Sequence, residues 1–400
     1  MKVAYLCGLF PHSIEDQIRE KSKGVAELAA NTLQWAILDG MNQLDLSADV
    51  FTLPYIRSYP LGYSSLFIKP DHLFLNNRIK LHTVGFCNLV GYHFLSRYLG
   101  AKRELLNWAG NTCGEKTIMI YALHSPFLKA VSDIKKRYPQ IKICLIVPDL
   151  PQYMSESRSL FYRILKKIDS HYMTNSLENI NSFVFLSEFM AQALQIKDKP
   201  WITVEGIYTQ SPDNKIKQKE KYNTILYTGT LNRRYGIMNL IEAFVQIKDS
   251  NYRLWICGEG NCSNDIKDIS RTDNRITSFG QITHNEVLGL QKRATVLVNP
   301  RSSEDEYTKY SFPSKTLEYF ASGTPTIMNR LKGIPEEYFQ YCFTPVNDNV
   351  EELKKMIVAV CEKNKSELEE IGKKASGFIF AHKNPEAQVR KIFEMLDKLH

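Results

Sequence analysis

The hydrophobic pattern of the first 200 residues alternates short apolar runs with segments of helical periodicity. Apolar runs rich in β-branched residues predict strands, and apolar residues recurring every three or four positions predict helices between them. Strands are predicted at 2–9, 117–122, 141–147 and 182–186, and helices at 24–38 and 126–138. Runs that are apolar throughout are typical of strands buried on both faces, so we expect a parallel sheet covered by helices.

A polar, turn-rich stretch at 209–222 interrupts this rhythm, which then starts again. The second half has predicted strands at 224–228, 252–257, 276–279, 295–299 and 325–329, and a helix at 237–244. The pattern therefore predicts two Rossmann-like α/β domains that face each other, over 1–206 and 207–380. Ligands in such domains bind at the carboxyl ends of the strands, so we expect a cleft there.

Two stretches in the first half carry weaker patterns. Residues 81–96 contain no Lys, Arg, Asp or Glu, which favours a buried helix over a membrane span. Residues 11–24 are polar and charged, and we expect them to form a mobile loop beside the cleft.

Composition agrees with a folded protein of the reducing cytoplasm. Of the 400 residues, 44% are apolar and 24% charged, which excludes wholesale disorder. No secretory signal and no 20-residue apolar span is recognised. The eight cysteines are scattered without metal-type spacing, so they are interpreted as small core residues, and no metal site is expected.

The net charge of +8 is concentrated in one region. Residues 51–170 hold 17 Lys and Arg against 7 Asp and Glu. In 51–110 the basic residues, among them Arg97, Lys102 and Arg103, alternate with many Tyr and Phe, a pattern typical of a bilayer interface. A solvated basic surface with aromatic residues in the core is the alternative. Nucleic acid is not expected as a partner, because no recognition signature is present.

The segment YTGTLNRRYGIMNLIEAF at 227–244 reads as strand, loop and helix. Gly229 follows the strand, Arg233 and Arg234 lie in the loop, and the helix begins after Gly236. Free backbone N–H groups beside two guanidinium groups form a good anion site, well suited to a diphosphate. Arginines on a solvent-exposed loop are the alternative.

The segment KYSFPSKTLEYFASGTPTI at 309–327 carries a stronger signal. Ser314 is a candidate N-cap, and Lys315 and Glu318 share one face of the helix. A cation in the first helical turn opposes the helix dipole, so an anionic ligand there would explain it. Glu318 would accept hydrogen bonds from hydroxyl groups such as those of a ribose, whereas an exposed Lys–Glu pair is the alternative.

These segments, with LWICGEGN (254–261) and ITSFGQITHNEVLGLQKRATVLVNP (276–300), resemble the donor-binding domain of glycosyltransferase family 4. That family comprises retaining enzymes with the two-domain GT-B fold. The resemblance covers residues 221–347; the N-terminal half matches weakly, through 183–190 and 204–208. It implies that residues 381–400 form a last helix returning to the N-terminal domain, and that 1–206 binds the acceptor and 207–380 the donor.

The resemblance also implies roles for individual residues. Gly229, Arg233 or Arg234 and Lys315 would hold the diphosphate of a nucleotide-sugar, Glu318 would bind the ribose, and Gly280, Gln281 and Ile282 would contact the base through backbone groups. The nucleotide-sugar is a substrate, so no cofactor is expected.

Three positions depart from the family pattern. Tyr310 stands where the first of two paired glutamates is usual, and Thr230 and Tyr235 replace the usual Arg and Lys of the phosphate loop. Arg233 and Arg234 would then have to compensate. The sequence resembles a bacterial branch that carries the FPSK donor-loop variant.

The N-terminal half offers candidates for the acceptor side. His124 and Asp149 each follow a predicted strand at its carboxyl end, and both are candidates to orient the acceptor hydroxyl or the transferred sugar. Gly8 and Phe10 follow the first strand and would lie beside the cleft. A packed histidine and a capping aspartate are the alternatives.

The leading hypothesis is a metal-independent retaining hexosyltransferase that moves a sugar from a nucleotide-sugar to an acceptor hydroxyl. The resemblance favours bacterial surface polysaccharide or lipid-linked glycan assembly, in the cytoplasm and at the inner membrane face. The competing hypothesis is a catalytically silent relative that binds a glycan or a partner protein. A Rossmann dehydrogenase is disfavoured, because Gly258-Glu259-Gly260 lacks the rest of the dinucleotide fingerprint.

Overall fold

A computed structural model describes residues 1–24, 28–150, 175–210 and 218–400. Its strands are β1 (Lys2–Cys7), β2 (Ala48–Thr52), β3 (Phe67–Ile68), β4 (Asp71–Phe74), β5 (Ile79–Thr83), β6 (Phe86–Cys87), β7 (Lys116–Tyr121), β8 (Lys142–Val147), β9 (Ser182–Phe185), β10 (Trp201–Thr203), β11 (Asn223–Thr228), β12 (Tyr252–Cys257), β13 (Ile276–Gly280), β14 (Val296–Asn299) and β15 (Thr326–Met328).

The described α-helices are α1 (Glu15–Lys21), α2 (Leu28–Gln43), α3 (His93–Asn111), α4 (Ser125–Arg137), α5 (Phe189–Ala193), α6 (Ile237–Val245), α7 (Ser263–Thr272), α8 (His284–Arg293), α9 (Lys315–Ala321), α10 (Val350–Cys361), α11 (Lys365–His382) and α12 (Pro385–Asp397). Short 3-10 helices occur at Leu177–Asn179, Arg233–Tyr235, Glu306–Tyr310 and Glu336–Tyr341. No helix in the described part of the chain is long and apolar enough to cross a membrane.

The chain divides into two compact units. Unit 1 comprises Met1–Ile207 and Pro385–His400, and unit 2 comprises Tyr208–Asn384. Helix α12 contributes Val389, Ile392 and Phe393 to the core of unit 1. Its start lies against α2, where a Cβ added at Gly40 would overlap the carbonyl of Pro385.

Unit 1 is built on a sheet whose described strands run in the order β10-β9-β8-β7-β1-β2-β5-β4. All neighbours are parallel except the edge pair of β4 and β5. The chain leaves β1 toward β2 on one side and returns to β7 on the other. The strand order therefore reverses between β1 and β7, which is where a ligand site is expected in such a sheet.

Unit 2 is built on a parallel sheet with described strand order β13-β12-β11-β14-β15. Strands β11, β14 and β15 are almost wholly buried. The cores on the two faces take alternate residues, such as Ile225 and Tyr227 on one face and Leu226 on the other. The order reverses between β11 and β14. The predicted α/β class with parallel sheets and two Rossmann-like domains is confirmed.

Two predictions in the first half are wrong. Residues 81–96 do not form one buried helix; they span the end of β5, the short β6 and the start of α3. In β5 buried Ile79, Leu81 and Thr83 alternate with the exposed Lys80 and half-buried His82, a period of two that belongs to a strand. Residues 11–24 contain α1, where Arg19 bonds Glu15 one turn before it at 2.6 Å.

Candidate functional site

A pocket of about 280 Å³ lies at the carboxyl edge of the unit 2 sheet. It is formed where β11, β12 and β13 end and where α9 begins. The lining residues are Thr228, Gly229, Cys257, Gly258, Gln281, Ile282, Val287, Ser314, Lys315 and Glu318. Six of the predicted donor residues are therefore brought together from three separate segments: Gly229, Gln281, Ile282, Ser314, Lys315 and Glu318.

The pocket depends on a close approach between Gly229 and Lys315. Gly229 has φ of +132°, a conformation that side chains rarely adopt. A Cβ at this position would overlap the Lys315 ammonium group and lie 2.7 Å from its Cε. Glycine therefore lets the Lys315 side chain cross the end of β11, where Nζ donates a hydrogen bond of 2.6 Å to the Thr228 carbonyl.

Burial makes the charged form of Lys315 energetically unfavourable. The Nζ atom lies 4.7 Å from the centre of the Tyr227 ring, and its one hydrogen bond goes to a neutral carbonyl. Burial, and next the positive charge of Arg301, lower the pKa of Lys315 to about 7, although Glu318 partly opposes this. A bound diphosphate would supply the negative charge that this ammonium group lacks.

Two buried tyrosines fix the loop that carries Gly229. The Tyr319 hydroxyl accepts a hydrogen bond of 2.9 Å from the Thr228 N–H, and the Tyr227 hydroxyl donates one of 2.9 Å to the Thr230 carbonyl. Burial raises the pKa of both phenols, so both stay neutral. The backbone at the end of β11 is thereby held in place before any ligand binds.

Glu318 lies one helical turn after Lys315 and faces the same pocket. No side chain among the described residues forms a hydrogen bond with its carboxylate, so both oxygens can accept hydrogen bonds from ligand hydroxyls. Ser314 precedes α9, but its side chain makes no capping hydrogen bond. Ser314 thus occupies the predicted N-cap position, and its side chain lines the pocket instead of capping the helix.

Four predicted donor residues are not among those lining this pocket. Gly280 ends β13, and its carbonyl accepts a hydrogen bond of 2.8 Å from the Gly258 N–H. The exposed Arg233 pairs with Asp265 at 2.6 Å. Arg234 stacks over the Tyr307 ring at 3.6 Å. Tyr310 closes a 3-10 helix, with its hydroxyl 3.5 Å from Glu306.

Arg301 was not predicted from the sequence to belong to the site. It lies two positions after the end of β14, at the same sheet edge as the pocket, and its charge acts on Lys315. The strand at 295–299 was predicted, so an arginine just beyond its carboxyl end was the available signal. Thr228, Cys257, Gly258 and Val287 line the pocket and were also missed.

In unit 1, Gly8 and His124 follow β1 and β7, the two strands between which the order reverses. A Cβ on Gly8 would overlap the Tyr55 ring, and its N–H donates a hydrogen bond of 2.7 Å to the buried Gln34. Tyr55 also packs on His124, with ring centres 5.3 Å apart. The polar residues in the otherwise apolar sequence of α2 could have indicated that this helix contacts the cluster of Gly8, Tyr55 and His124.

His124 lies in an environment that keeps it neutral. Its ring packs against Phe127 at 4.6 Å, and Nδ1 is buried without a hydrogen-bond partner in the described structure. Burial, then the charges of Arg97 and His93, lower its pKa well below the usual value. A neutral imidazole can exchange hydrogen bonds with a hydroxyl group but is a weak base.

The other unit 1 candidates differ in exposure. Asp149 is exposed just beyond β8, whereas Phe10 is only 1% exposed and packs in the interior, so its ring is not available to a ligand. Across the described residues, no cluster of His, Cys, Asp or Glu is arranged to hold a metal ion.

Residues 222–363 match the family model described as "Glycosyl transferases group 1". The matched segment covers β11 to β15 and every lining residue of the pocket in unit 2. No curated protein sequence matches the chain.

Solved structures similar to this chain cover it entirely. Sucrose-phosphate synthase from Thermosynechococcus elongatus aligns with a TM-score of 0.63 and 16% identity, over 100% of this chain and 99% of its own. The catalytic domain of Starch Synthase IV from Arabidopsis thaliana, bound to ADP and acarbose, gives 0.66 and 8%, over 100% and 99%. Anabaena HepE in complex with UDP gives 0.62 and 12%, over 100% of both chains.

At these identities the structures show the fold, which is that of GT-B glycosyltransferases. The similarity to a group 1 glycosyl transferase domain is limited to residues 222–363.

Proposed function

We propose that this protein is a retaining glycosyltransferase that transfers a hexose from a nucleotide-sugar to an acceptor hydroxyl. The observation that carries this proposal is the pocket in unit 2, where Lys315 crosses the end of β11 at Gly229 and Glu318 follows one turn later. Among the described residues, no carboxylate forms a hydrogen bond with the Lys315 ammonium group, and no side chain forms one with the Glu318 carboxylate. The ammonium group therefore suits a diphosphate, and the carboxylate suits the hydroxyl groups of a ribose beside it.

In this proposal each part of the donor has its own residues. Lys315 binds the diphosphate, Glu318 accepts hydrogen bonds from the ribose hydroxyls, and the backbone at Gln281 and Ile282 contacts the base. Among the similar structures, Starch Synthase IV is bound to ADP and HepE to UDP. The choice of base is therefore left to the experiment below.

The chemistry follows from these positions. The bond between the sugar C1 and the diphosphate oxygen breaks, and the acceptor oxygen forms a bond to C1 on the same face. The acceptor proton passes to the leaving phosphate. Lys315 stabilises the negative charge that grows on the diphosphate as the bond breaks. This role makes a metal ion unnecessary.

The acceptor is proposed to bind at the carboxyl edge of the unit 1 sheet, near His124 and Asp149. The neutral His124 would orient the acceptor hydroxyl without removing its proton in advance. We propose an acceptor in bacterial surface polysaccharide or lipid-linked glycan assembly.

The donor site is tested by calorimetric titration with UDP, GDP, ADP and dTDP. We expect one of them to bind the wild type, and Glu318→Ala to weaken that binding about 10- to 150-fold, because charged hydrogen bonds contribute about 1.5–3 kcal/mol. Glu369→Ala, which removes an exposed carboxylate on α11 outside the pocket, is the control and should bind like the wild type. Equal affinity of wild type and Glu318→Ala would exclude Glu318 from the site.

A membrane surface is proposed on unit 1 because large apolar side chains are exposed there. We call them the apolar surface: Leu61, Phe67, Leu89, Val90, Tyr92, Phe94, Leu95 and Leu99. The backbone joins their segments, since Asn88 N–H bonds the Leu66 carbonyl at 2.7 Å and Val90 N–H bonds the Tyr59 carbonyl at 3.0 Å. Such a concentration of exposed apolar side chains is unusual in a monomeric protein.

The charges around the apolar surface fit an anionic bilayer. Lys23, Arg57 and Lys69 are exposed, and Asp71 is the only acidic residue in 57–99. Two of the basic residues predicted to face the bilayer have other surroundings in the structure. Arg97 is only 2% exposed, and Lys102 pairs with Asp133 at 2.7 Å. The apolar side chains, and not these two cations, would therefore provide most of the binding.

Vesicle co-sedimentation tests this surface. We expect the wild type to pellet with phosphatidylglycerol-containing vesicles at low salt and to release at high salt. Leu95→Ser/Leu99→Ser should reduce binding about tenfold or more, as both leucines are half exposed and would be buried in the bilayer. Val245→Ser/Val346→Ser, which changes exposed valines of unit 2, should bind like the wild type. Unchanged binding of the leucine variant would contradict the proposal.

A further inference from the structure

Arg301 lies at the carboxyl edge of the unit 2 sheet, next to the pocket described above. β14 ends at Asn299, and Arg301 follows two residues later, beside the neighbouring strand β11 that leads to Gly229. The strand order reverses between β11 and β14, and ligands of such sheets bind at this reversal. Arg301 and Gly229 thus flank the expected ligand position from its two sides.

The guanidinium group of Arg301 is held by aromatic rings. It lies 4.5 Å from the centre of the Tyr235 ring and 5.7 Å from that of Tyr307, and Arg234 stacks over Tyr307 at 3.6 Å. Asn329 holds the backbone by donating a 3.0 Å hydrogen bond to the Arg301 carbonyl. Stacking fixes the plane of the guanidinium group but leaves its N–H groups free to donate.

Two buried donors in this cluster have no acceptor in the described structure. They are Arg301 Nε and the Tyr307 hydroxyl. Buried donors are almost always hydrogen-bonded in folded proteins, because each unsatisfied one lowers stability. An oxygen atom of a bound anion would accept from both.

The charges around Arg301 also favour an anion. No carboxylate of a described residue pairs with Arg301, and its charge acts unfavourably on Lys315. Arg301 follows β14 and Lys315 crosses the end of the neighbouring strand β11, so the two positive charges lie at the same edge of the sheet.

We propose that Arg301, with the Tyr307 hydroxyl, binds the distal phosphate of the donor, while Lys315 binds both phosphates. This inference rests on the proposed function. Arg301 is not among the residues that line the pocket with Glu318 and Ile282, where the nucleoside would bind. Because its charge acts on Lys315 but it does not line the nucleoside part of the pocket, we assign Arg301 to the phosphate farther from the nucleoside, the one that carries the sugar.

The proposal predicts which ligand each variant loses. Calorimetry with the pairs UMP/UDP, AMP/ADP, GMP/GDP and dTMP/dTDP measures how strongly the protein prefers the diphosphate of its own base. We expect the wild type to prefer the diphosphate by about tenfold or more, and Arg301→Met to lose this preference while binding the monophosphate normally. Lys315→Met should weaken both ligands. Arg253→Met, which removes a guanidinium stacked on Tyr222 at 4.0 Å, is the matched control.

A milder variant keeps the test valid if Arg301→Met does not fold. Tyr307→Phe retains the ring beneath Arg234 and Arg301 and removes only the hydroxyl, so it should fold and lose part of the diphosphate preference. The deciding variant is Arg301→Met, or Tyr307→Phe if Arg301→Met does not fold. If this variant keeps the full preference for the diphosphate while Lys315→Met loses binding, the proposed role of Arg301 is wrong. If Lys315→Met also binds normally, or the wild type binds none of the eight nucleotides, the proposed donor site itself is wrong.

Discussion

Gly229→Ala is expected to abolish measurable binding of the nucleoside diphosphate. The added Cβ would overlap the Lys315 ammonium group, and φ of +132° is strained for any residue with a side chain, by about 1–3 kcal/mol. Lys315 would have to leave the Thr228 carbonyl, and with it the position from which it reaches the diphosphate. We expect an affinity loss of about 100-fold or more, measured by calorimetry, together with a lower thermal midpoint.

Gly377→Ala is the control for this substitution. Gly377 lies within α11, and a Cβ there would meet nothing within 4 Å. Alanine is favoured over glycine in a helix by about 0.5–1 kcal/mol, so this variant should be at least as stable as the wild type and bind normally. Normal binding by Gly229→Ala would show that the Lys315 position is not needed for the ligand.

Lys315→Met is expected to weaken diphosphate binding and to stabilise the empty protein. The pKa of Lys315 is lowered to about 7 in the folded protein and returns to about 10.4 on unfolding. Below pH 7 the lysine is charged in both states, so the folded state bears the full cost of the buried charge. As the pH rises from 7 to 10 this cost falls steadily, because the folded protein holds the neutral amine while the unfolded chain still binds a proton, and releasing that proton on folding becomes easier.

Urea unfolding at pH 6 and pH 9 measures this effect. Lys315→Met should be more stable than the wild type by about 1–3 kcal/mol at pH 6, allowing for solvent around the half-buried amine, and by less at pH 9. Nucleotide-sugar affinity of the wild type should fall above pH 7, where the amine must gain a proton on binding, and should not do so in Lys315→Met. A destabilised variant at pH 6 would contradict the cost assigned to the buried charge.

The fold was predictable where the physical signal is local. Strands such as β1, β8 and β12 are mostly buried, so their sequences are largely apolar and their bounds were predicted within two residues. Residues 81–96 were mispredicted because composition was weighed over periodicity: the stretch is poor in charge, but β5 alternates. The charge in α1 belongs to a solvent-exposed helix face and was mistaken for a loop.

The candidate site was predictable as far as its parts are close in sequence. Gly229, Lys315 and Glu318 lie in two segments with recognisable strand, loop and helix order. The stacking of Arg301 on Tyr235 and Tyr307 joins residues from three loops, and nothing in the spacing of these residues indicates it. Arg233 lies in the loop as predicted, but its side chain pairs with Asp265 on α7 and does not line the pocket.

Hydrolysis of nucleotide-sugars tests the central claim most directly, since water can replace an unknown acceptor. The protein is incubated with UDP-, GDP-, ADP- and dTDP-sugars in the presence of EDTA, and proton NMR follows the anomer that is released first. We predict release from one donor class with the anomeric configuration of the donor retained, and no release above background by Lys315→Met. Inverted product, or no release from any donor by a protein that binds nucleoside diphosphate, would contradict a retaining transferase; the second result would indicate a catalytically silent relative.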